Sequence, residues 1–395
     1  MTAISVPDAV RPLFTDREAA LLSELRRDLH AHPELSWKES RTQARLEDVL
    51  RGAGIDDVRR IAGTGLVARI PGLVPGAPAI ALRGDIDALP IHEATGLPYA
   101  SRHDGVMHAC GHDVHAAWAV GAALLLRRTP AAGDVLVVLQ PAEEVGQGAS
   151  QVLDSGALDG VRAIFGAHVD RRFEVGQVVA QPGPLAASSD SFTITLTGAG
   201  AHGARPHESA DPVVGLAALV TALQTIISRR LDPAQPGVVT VGMVQAGTAS
   251  NIIPESAVLS GTVRATTGAA RDLIVAEVDR LSFSMAVAYR LQAAVDWGHR
   301  TPPVVNSPDG AQWAAAAVTR VLGASATVPL GTTNMGGEDF AFYLERLPGC
   351  FLRIGARERG GEVIAAHSPR FQPAEEALFI GAAVLAECAR VAGGA

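Results

Sequence analysis

The chain has 395 residues, of which 33 are basic, 41 acidic and 48% hydrophobic, for a formal net charge of −8. That composition supports a sizeable core and excludes a disordered tail. The acidic balance excludes nucleic acid as the expected partner, because phosphate binding needs a basic surface.

At about 150 residues per domain the length fits two or three domains. The amino terminus, MTAISVPDAV, lacks the basic start and apolar stretch of a secretory signal. Cys110, Cys350 and Cys388 are too few and too widely spaced for a disulfide framework. Both features predict a cytoplasmic location.

Two amphipathic helices are expected first, one from Asp16 to His30 before a break at Pro33, the other from about Glu39 to Arg51, stopped by Gly52 and Gly54. Short apolar runs bounded by turn residues follow at Gly65–Ile70, Ala79–Leu82, Val135–Leu139 and Ala163–Gly166, with an apolar helix over Ala116–Arg128 among them. The most apolar run, Ala116–Leu126, falls well short of the ~20 residues that span a membrane, so no membrane partner is expected. Strands alternating with helices predict an α/β fold whose mixed, mostly parallel sheet is covered by helices.

The texture changes after about residue 187. Phe192, Ile194 and Leu196 alternate with polar neighbours, as in a half-buried strand. A helix capped by Asp211 and opened by Pro212 runs to about Arg230, then come strands near Val238–Val244 and Val258–Ala265, a helix from about Ala269 to Leu291, and a strand at about Gln292–Trp297. This β-α-β-β-α-β order predicts an inserted ferredoxin-like α+β domain. The expected organisation is a metal-binding catalytic domain in two parts, 1–186 and 301–395, around an insert at 187–300.

Several apolar strands lead directly into ionisable residues. Ala79–Leu82 leads to Arg83, Asp85 and Asp87, Val135–Leu139 to Glu143 and Glu144, and Ala163–Gly166 to His168. In an open α/β sheet ligands bind beyond the carboxyl ends of the strands, so three strands deliver polar groups to one rim. Five of the twelve histidines, His92, His103, His108, His112 and His115, crowd into one short segment. Within it Cys110 and His112 are two apart, so an extended backbone points a soft thiolate and an imidazole to the same side, a pair suited to a transition metal.

Singly, each residue also fits a plainer role: Cys110 as a small buried hydrophobe, His168 as a satisfied core or surface histidine, Glu143–Glu144 as a solvated doublet, the aspartates as turn caps. Adjacent residues of an extended chain face opposite ways, so Glu143 and Glu144 divide into one ligand and one base. Asp85 and Asp87 share a face, and either could hold a ligand imidazole through its second nitrogen.

Together RRDLHAHPEL (26–35), ALRGDIDALPI (81–91), GVMHACGHDVHAA (105–117), LQPAEE (139–144), GAHVD (166–170), NIIP (251–254), GTVR (261–264), GGEDF (336–340) and His367 resemble the amidohydrolase branch of the dinuclear-metal aminoacylase and carboxypeptidase superfamily. That branch includes hippurate hydrolases, auxin-conjugate hydrolases and N-acetyl-diaminopimelate deacetylases. The resemblance implies two divalent metal ions per subunit, zinc first, with manganese, cobalt or nickel as alternatives. It implies Cys110, His112, Glu144, His168 and His367 as ligands and Glu143 as general acid/base. It places His202, Asn251 and Arg264 against substrate, with His202 also stabilising charge on the carbonyl oxygen. The insert becomes a lid and the surface of a homodimer.

The implied reaction is hydrolysis of an N-acyl amino acid to a carboxylate and a free amino acid. A carboxypeptidase or dipeptidase of the same architecture is one alternative, and a non-catalytic metal-dependent binding or sensor protein is another. The sequence departs from the pattern at Ala201 before His202, at Gly337 before Glu338, at Trp37, and at Arg171–Arg172. His30, His32, Asp113 and His115 stay unassigned, His115 as a candidate opener of the following helix.

Overall fold

The computed structural model describes residues 6–394, which divide into two compact units. The larger comprises residues up to Gly183, then Val305–Gly331 and the stretch from Asp339 onward; the smaller comprises Pro184–Val304 and Thr332–Glu338. Sequence reading had assigned all of 301–395 to the first domain, whereas Thr332–Glu338 groups with the smaller unit. Ala187 N–H donates to the Asn334 carbonyl at 2.9 Å, which ties that segment to the start of the insert.

In chain order the main elements are α1 (Asp16–Ala31), α2 (Ser40–Gly52), β1 (Val58–Ile61), β2 (Gly65–Ile70), β3 (Ala79–Asp85), α3 (His112–Arg128), β4 (Val135–Gln140), α4 (Gly148–Asp154), β5 (Val161–Glu174) and β6 (Val178–Val179). The smaller unit then contributes β7 (Ser189–Thr197), α5 (Pro212–Thr225), β8 (Gly237–Ala246), β9 (Ser256–Ala265), α6 (Gly268–Ala288) and β10 (Gln292–Thr301). The chain closes with α7 (Pro308–Leu322), β11 (Gly349–Arg357) and α8 (Glu376–Gly393).

The large sheet has the order β1-β2-β4-β3-β5-β11-β6. Its four central strands are mutually parallel, and the outer strands pair antiparallel. Every residue of β4 and all but the first of β3 are buried, so both faces are covered, as a parallel sheet requires. The apolar helix α3 is buried from His112 to Leu126 and packs between α1 and α8. Gly381 permits the close approach of α8, because a Cβ there would meet Trp118 Cε3 at 2.2 Å.

α3 starts four residues earlier than the apolar pattern indicated. Gly111 takes a left-handed φ of 93° and turns the chain directly into the helix at His112. Ala163–Gly166 is likewise only the middle of β5, so His168 lies within a strand instead of beyond its end.

In the smaller unit the sheet order is β8-β9-β7-β10, antiparallel throughout, with α5 and α6 packed on it: the ferredoxin-like arrangement. Asp211 accepts from Val213 N–H at 2.8 Å and caps α5. Leu216, Leu219, Leu223 and Ile226 are buried against the sheet. Pro212–Arg230 is the one helix among the described residues with the length and apolarity to cross a membrane. Its buried leucines are the inner face of a two-layer domain, a role that yields the same composition.

Candidate metal centre

The carboxyl ends of β3 and β4, the middle of β5 and the start of α3 meet in the larger unit. Four groups of potential ligand atoms there lie within 4.8 Å of one another: Cys110–His112–His168, Cys110–Glu144–His367, His112–Glu143–Glu144 and Asp85–His112–His115. The first two share Cys110 and together contain all five residues singled out as ligands. These residues lie far apart along the chain and come together in one unit.

The extended geometry anticipated for the two short motifs is absent. Gly111 is left-handed between Cys110 and His112, and a helix start, not a strand, brings thiol and imidazole together. Glu143 and Glu144 sit on a turn behind Ala142, a non-glycine residue with φ of 53°. Both carboxylates therefore come to the same ring, at 3.9 and 3.8 Å from His112 Nε2, instead of facing opposite ways.

Each imidazole anchors its Nδ1–H away from this cluster and turns Nε2 toward it. His112 Nδ1 donates to the Asp87 carbonyl at 2.9 Å and lies 3.2 Å from Asp87 Oδ1, so Nε2 is the free atom. His168 Nδ1 donates to the Val169 carbonyl at 2.7 Å, leaving Nε2 at 3.2 Å from Cys110 Sγ. A ring fixed in this way offers a lone pair to a cation. His112 Nε2 and Glu144 Oε1 are both buried without a hydrogen-bond partner among the described residues. At 3.8 Å they are too far apart to hydrogen-bond to each other, so each atom is left open for a cation. The residues present fit a pair of divalent cations.

His367 arrives on a loop, with φ of 67° and its N–H donating to Ala109 at 2.8 Å. Its Nε2 lies 3.6 Å from Glu144 Oε2. Ala142 and His367 are two of five non-glycine residues with positive φ among those described, and backbone strain of this kind concentrates at functional sites.

Of the two aspartates, Asp87 holds the His112 ring, while Asp85 holds His115, with Oδ1 at 2.6 Å from its Nδ1. His115 does not open the helix. Its Nε2 accepts from Val169 N–H at 3.0 Å and its ring stacks on Trp118, so both nitrogens are used and the Asp85–His112–His115 group is a structural network. Asp85 is buried, which raises a carboxyl pKa, but Arg83 and then His112 overcome this and hold it well below the usual range. Burial likewise raises Asp87, and the hydrogen bond and charge of His112 bring it down.

Sequence reading missed a supporting layer. Asp339 accepts from Gln140 Nε2, Ala149 N–H and Arg83, all at 2.9 Å, and Arg83 also reaches Gln140 and Asp85. Asp113 binds the Arg26 guanidinium at 3.1 Å and His30 Nδ1 at 3.0 Å behind the start of α3. The available signal was the run of charged residues at strand ends, too common to single these out.

The remaining three residues lie in the smaller unit. The pairing of 201–202 with 252–253 puts His202 opposite Ile252, and Gly203 N–H donates to the Asn251 carbonyl at 2.8 Å. His202 Nδ1 accepts from Ala204 N–H at 3.0 Å, so its exposed Nε2–H is a donor. The Arg264 side chain, on β9, is half-buried and makes no hydrogen bond or ion pair among the described residues; burial lowers its pKa, partly offset by Asp190. A Cβ at Gly337 would press on Ser189 Cβ at 2.9 Å, so glycine permits the close approach of these two segments.

Comparison with known proteins bears on these residues as a set. The chain is 42% identical to an N-acetylcysteine deacetylase of Bacillus subtilis over 93% of its length and 96% of the relative. It is 34% identical to thermostable carboxypeptidase 1 of Saccharolobus solfataricus, over 91% and 92%. The crystal structure of the Bacillus subtilis YXEP protein, described as a dinuclear metal binding peptidase from the M20 family, superposes with a TM-score of 0.84 at 37% identity, covering 96% of this chain and 99% of the other. Residues 81–391 match the model of peptidase family M20/M25/M40, and the chain belongs to that family.

Proposed function

We propose that the protein is a metal-dependent hydrolase that cleaves the amide bond of N-acyl amino acids, releasing a carboxylate and a free amino acid. The observation that carries this reading is the pair of ligand groups joined at Cys110 with the Glu143 carboxylate beside them. Cys110, His112 and His168 would hold one cation and Cys110, Glu144 and His367 a second, zinc first by its affinity for thiolate and imidazole, with manganese, cobalt or nickel also admitted. Cations held there supply Lewis-acid polarisation of the scissile carbonyl and an acidified water.

Glu143 takes a proton from the attacking water as its oxygen bonds to the carbonyl carbon. When the C–N bond breaks, the same carboxyl returns that proton to the departing nitrogen. A sensor protein has no use for a proton-carrying carboxylate beside the cations. His202 Nε2–H is the proposed donor to the developing oxyanion, a contribution of about 3–4 kcal/mol for a well-placed group. Arg264 is the proposed fork for the substrate α-carboxylate, assisted by Asn251. Its half-buried, unpaired state supports that role, since burying a guanidinium without a partner is unfavourable.

The deacetylase and the carboxypeptidase among the relatives favour two substrate classes, N-acyl amino acids and peptides with a free carboxyl end. A panel of N-acetyl, N-benzoyl and N-aliphatic amino acids against dipeptides, with protein that is metal-loaded or chelated, separates them. Metal-dependent turnover of the acyl compounds is expected. Turnover of dipeptides alone gives the peptidase, and tight binding without turnover gives the sensor. The remaining parts of the reading are a homodimer formed through the smaller unit, which also acts as a lid, and a cytoplasmic location, in keeping with three free, buried cysteines.

A further inference from the structure

A buried carboxyl that touches none of the proposed ligands controls the turn on which two of the site's acids stand. Glu39, just ahead of α2, is fully buried. Its Oε1 accepts from Ala142 N–H at 2.9 Å, and its Oε2 accepts from Thr64 Oγ1 at 2.5 Å, on the β1–β2 hairpin. Ala142 is the left-handed residue immediately before Glu143 and Glu144. Its carbonyl accepts from Gln147 N–H at 3.3 Å and Gly148 N–H at 3.1 Å, so the peptide groups on both sides of its Cα are held.

Glycines on both sides let the backbone pack closely on Pro141. A Cβ at Gly65 would meet Pro141 Cδ at 2.7 Å, and one at Gly148 would meet the Pro141 carbonyl at 1.7 Å. A non-glycine residue in the left-handed region is strained, so this turn persists only while its neighbours enforce it.

We infer that Glu39 is a positioning residue: by anchoring the Ala142 N–H to the hairpin it fixes the left-handed turn that aims the Glu143 and Glu144 carboxylates at His112. Burial raises the Glu39 pKa, opposed by the Thr64 hydrogen bond. Glutamine keeps the shape of the side chain, its oxygen accepting from Ala142 N–H and its nitrogen donating to the Thr64 hydroxyl.

The inference rests on the proposed roles of Glu143 and Glu144, and the test has one arm that needs no turnover. Glu39→Ala, Glu39→Gln and the double variant Glu39→Ala/Ala142→Gly are compared with the full-length protein for zinc affinity by chelator competition, and for kcat, KM and pH profile on the best substrate of the panel. Supporting partners of a metal site are typically worth about 10- to 100-fold in affinity or rate. Glu39→Ala is expected to weaken zinc binding and lower kcat by about that factor, with KM within about twofold, and to move the acidic limb of the profile. Glu39→Gln is expected to stay within about threefold of the parent. Glycine, which takes positive φ freely, is expected to recover part of the loss in the double variant.

Unchanged zinc affinity, or unchanged kcat and profile, in folded Glu39→Ala would overturn the inference, as would a Glu39→Gln variant as impaired as Glu39→Ala. If Glu39→Ala does not fold, the Gln variant and the single variant Ala142→Gly decide: the former must retain zinc affinity and the latter must fold. Should the parent bind zinc and hydrolyse nothing, the functional reading fails while the affinity comparison still stands.

Discussion

Asp87 meets the His112 ring twice, through its carbonyl at 2.9 Å and through Oδ1 at 3.2 Å, and its other carboxylate oxygen accepts from Glu144 N–H at 3.0 Å. One side chain thus orients a proposed ligand and braces the backbone of another. Asp87→Ala is expected to weaken metal binding about 10- to 100-fold, read by chelator competition. Unchanged affinity would mean that the carbonyl alone holds the ring.

Glu143→Gln keeps the shape of the side chain and removes its basicity. Loss of the proton carrier should lower kcat by about 10²- to 10⁴-fold with metal content unchanged. Steady-state kinetics paired with elemental analysis checks this, and a variant that retains full turnover sinks the assignment.

Metal loading should expel protons. Burial, followed by the charge of Glu144, pushes the Cys110 thiol well above its usual range; burial opposes a charged His112, but Asp85 raises its pKa. Without metal, both groups hold protons at neutral pH, and each must lose the one on its ligand atom to bind a cation. Apparent affinity is therefore expected to rise with pH through the neutral range. Calorimetry in two buffers of different ionisation enthalpy should register net release, and none at pH 7 would remove Cys110 from the ligand set.

Behind the site, His30 contributes to stability in the opposite pH sense from an acid. Burial alone would lower its pKa, but Asp113's charge and hydrogen bond, with Glu93, raise it to about 9. The folded value exceeds the unfolded one, so this stabilisation is complete below about pH 6.5 and lost as pH rises through about 9. A shift of that size is worth on the order of 3 kcal/mol. Denaturant unfolding of the parent should weaken between those limits, and His30→Gln should be less stable at pH 6.5 with a flatter profile.

Arg264→Lys keeps the charge and loses the fork. If the guanidinium grips the substrate α-carboxylate, KM should rise roughly tenfold with little change in kcat, and α-amide analogues should show no such difference. Equal effects on both would assign Arg264 to the packing of β9.

Much of this molecule was legible in its residues. The period of two in β7, the Asp211–Pro212 start of α5 and the apolar run of α3 each follow local rules, and the corresponding elements formed within a few residues of expectation. The site was less legible where backbone conformation broke the regular pattern. Left-handed Ala142 brings together two carboxylates that extended geometry would separate, left-handed Gly111 joins Cys110 and His112 by a helix start instead of a strand, and nothing in an alanine between proline and glutamate announces a positive φ. The parts of Glu39, His115 and Asp339 were hidden for another reason: a buried polar residue is identified by its partners, and those come from distant segments.

β11 fills the slot between β5 and β6, although more than a hundred residues of the smaller unit are translated first. A nascent chain halted before Gly349 leaves β5 with its hydrogen-bonding edge bare on that side, a template for adventitious strand pairing. Truncations ending between residues 304 and 348 should therefore accumulate in inclusion bodies even though all the residues of the smaller unit's main sheet have already been made. During synthesis of this polypeptide, the exposure to mispairing lasts until the segment from Gly349 onward has emerged.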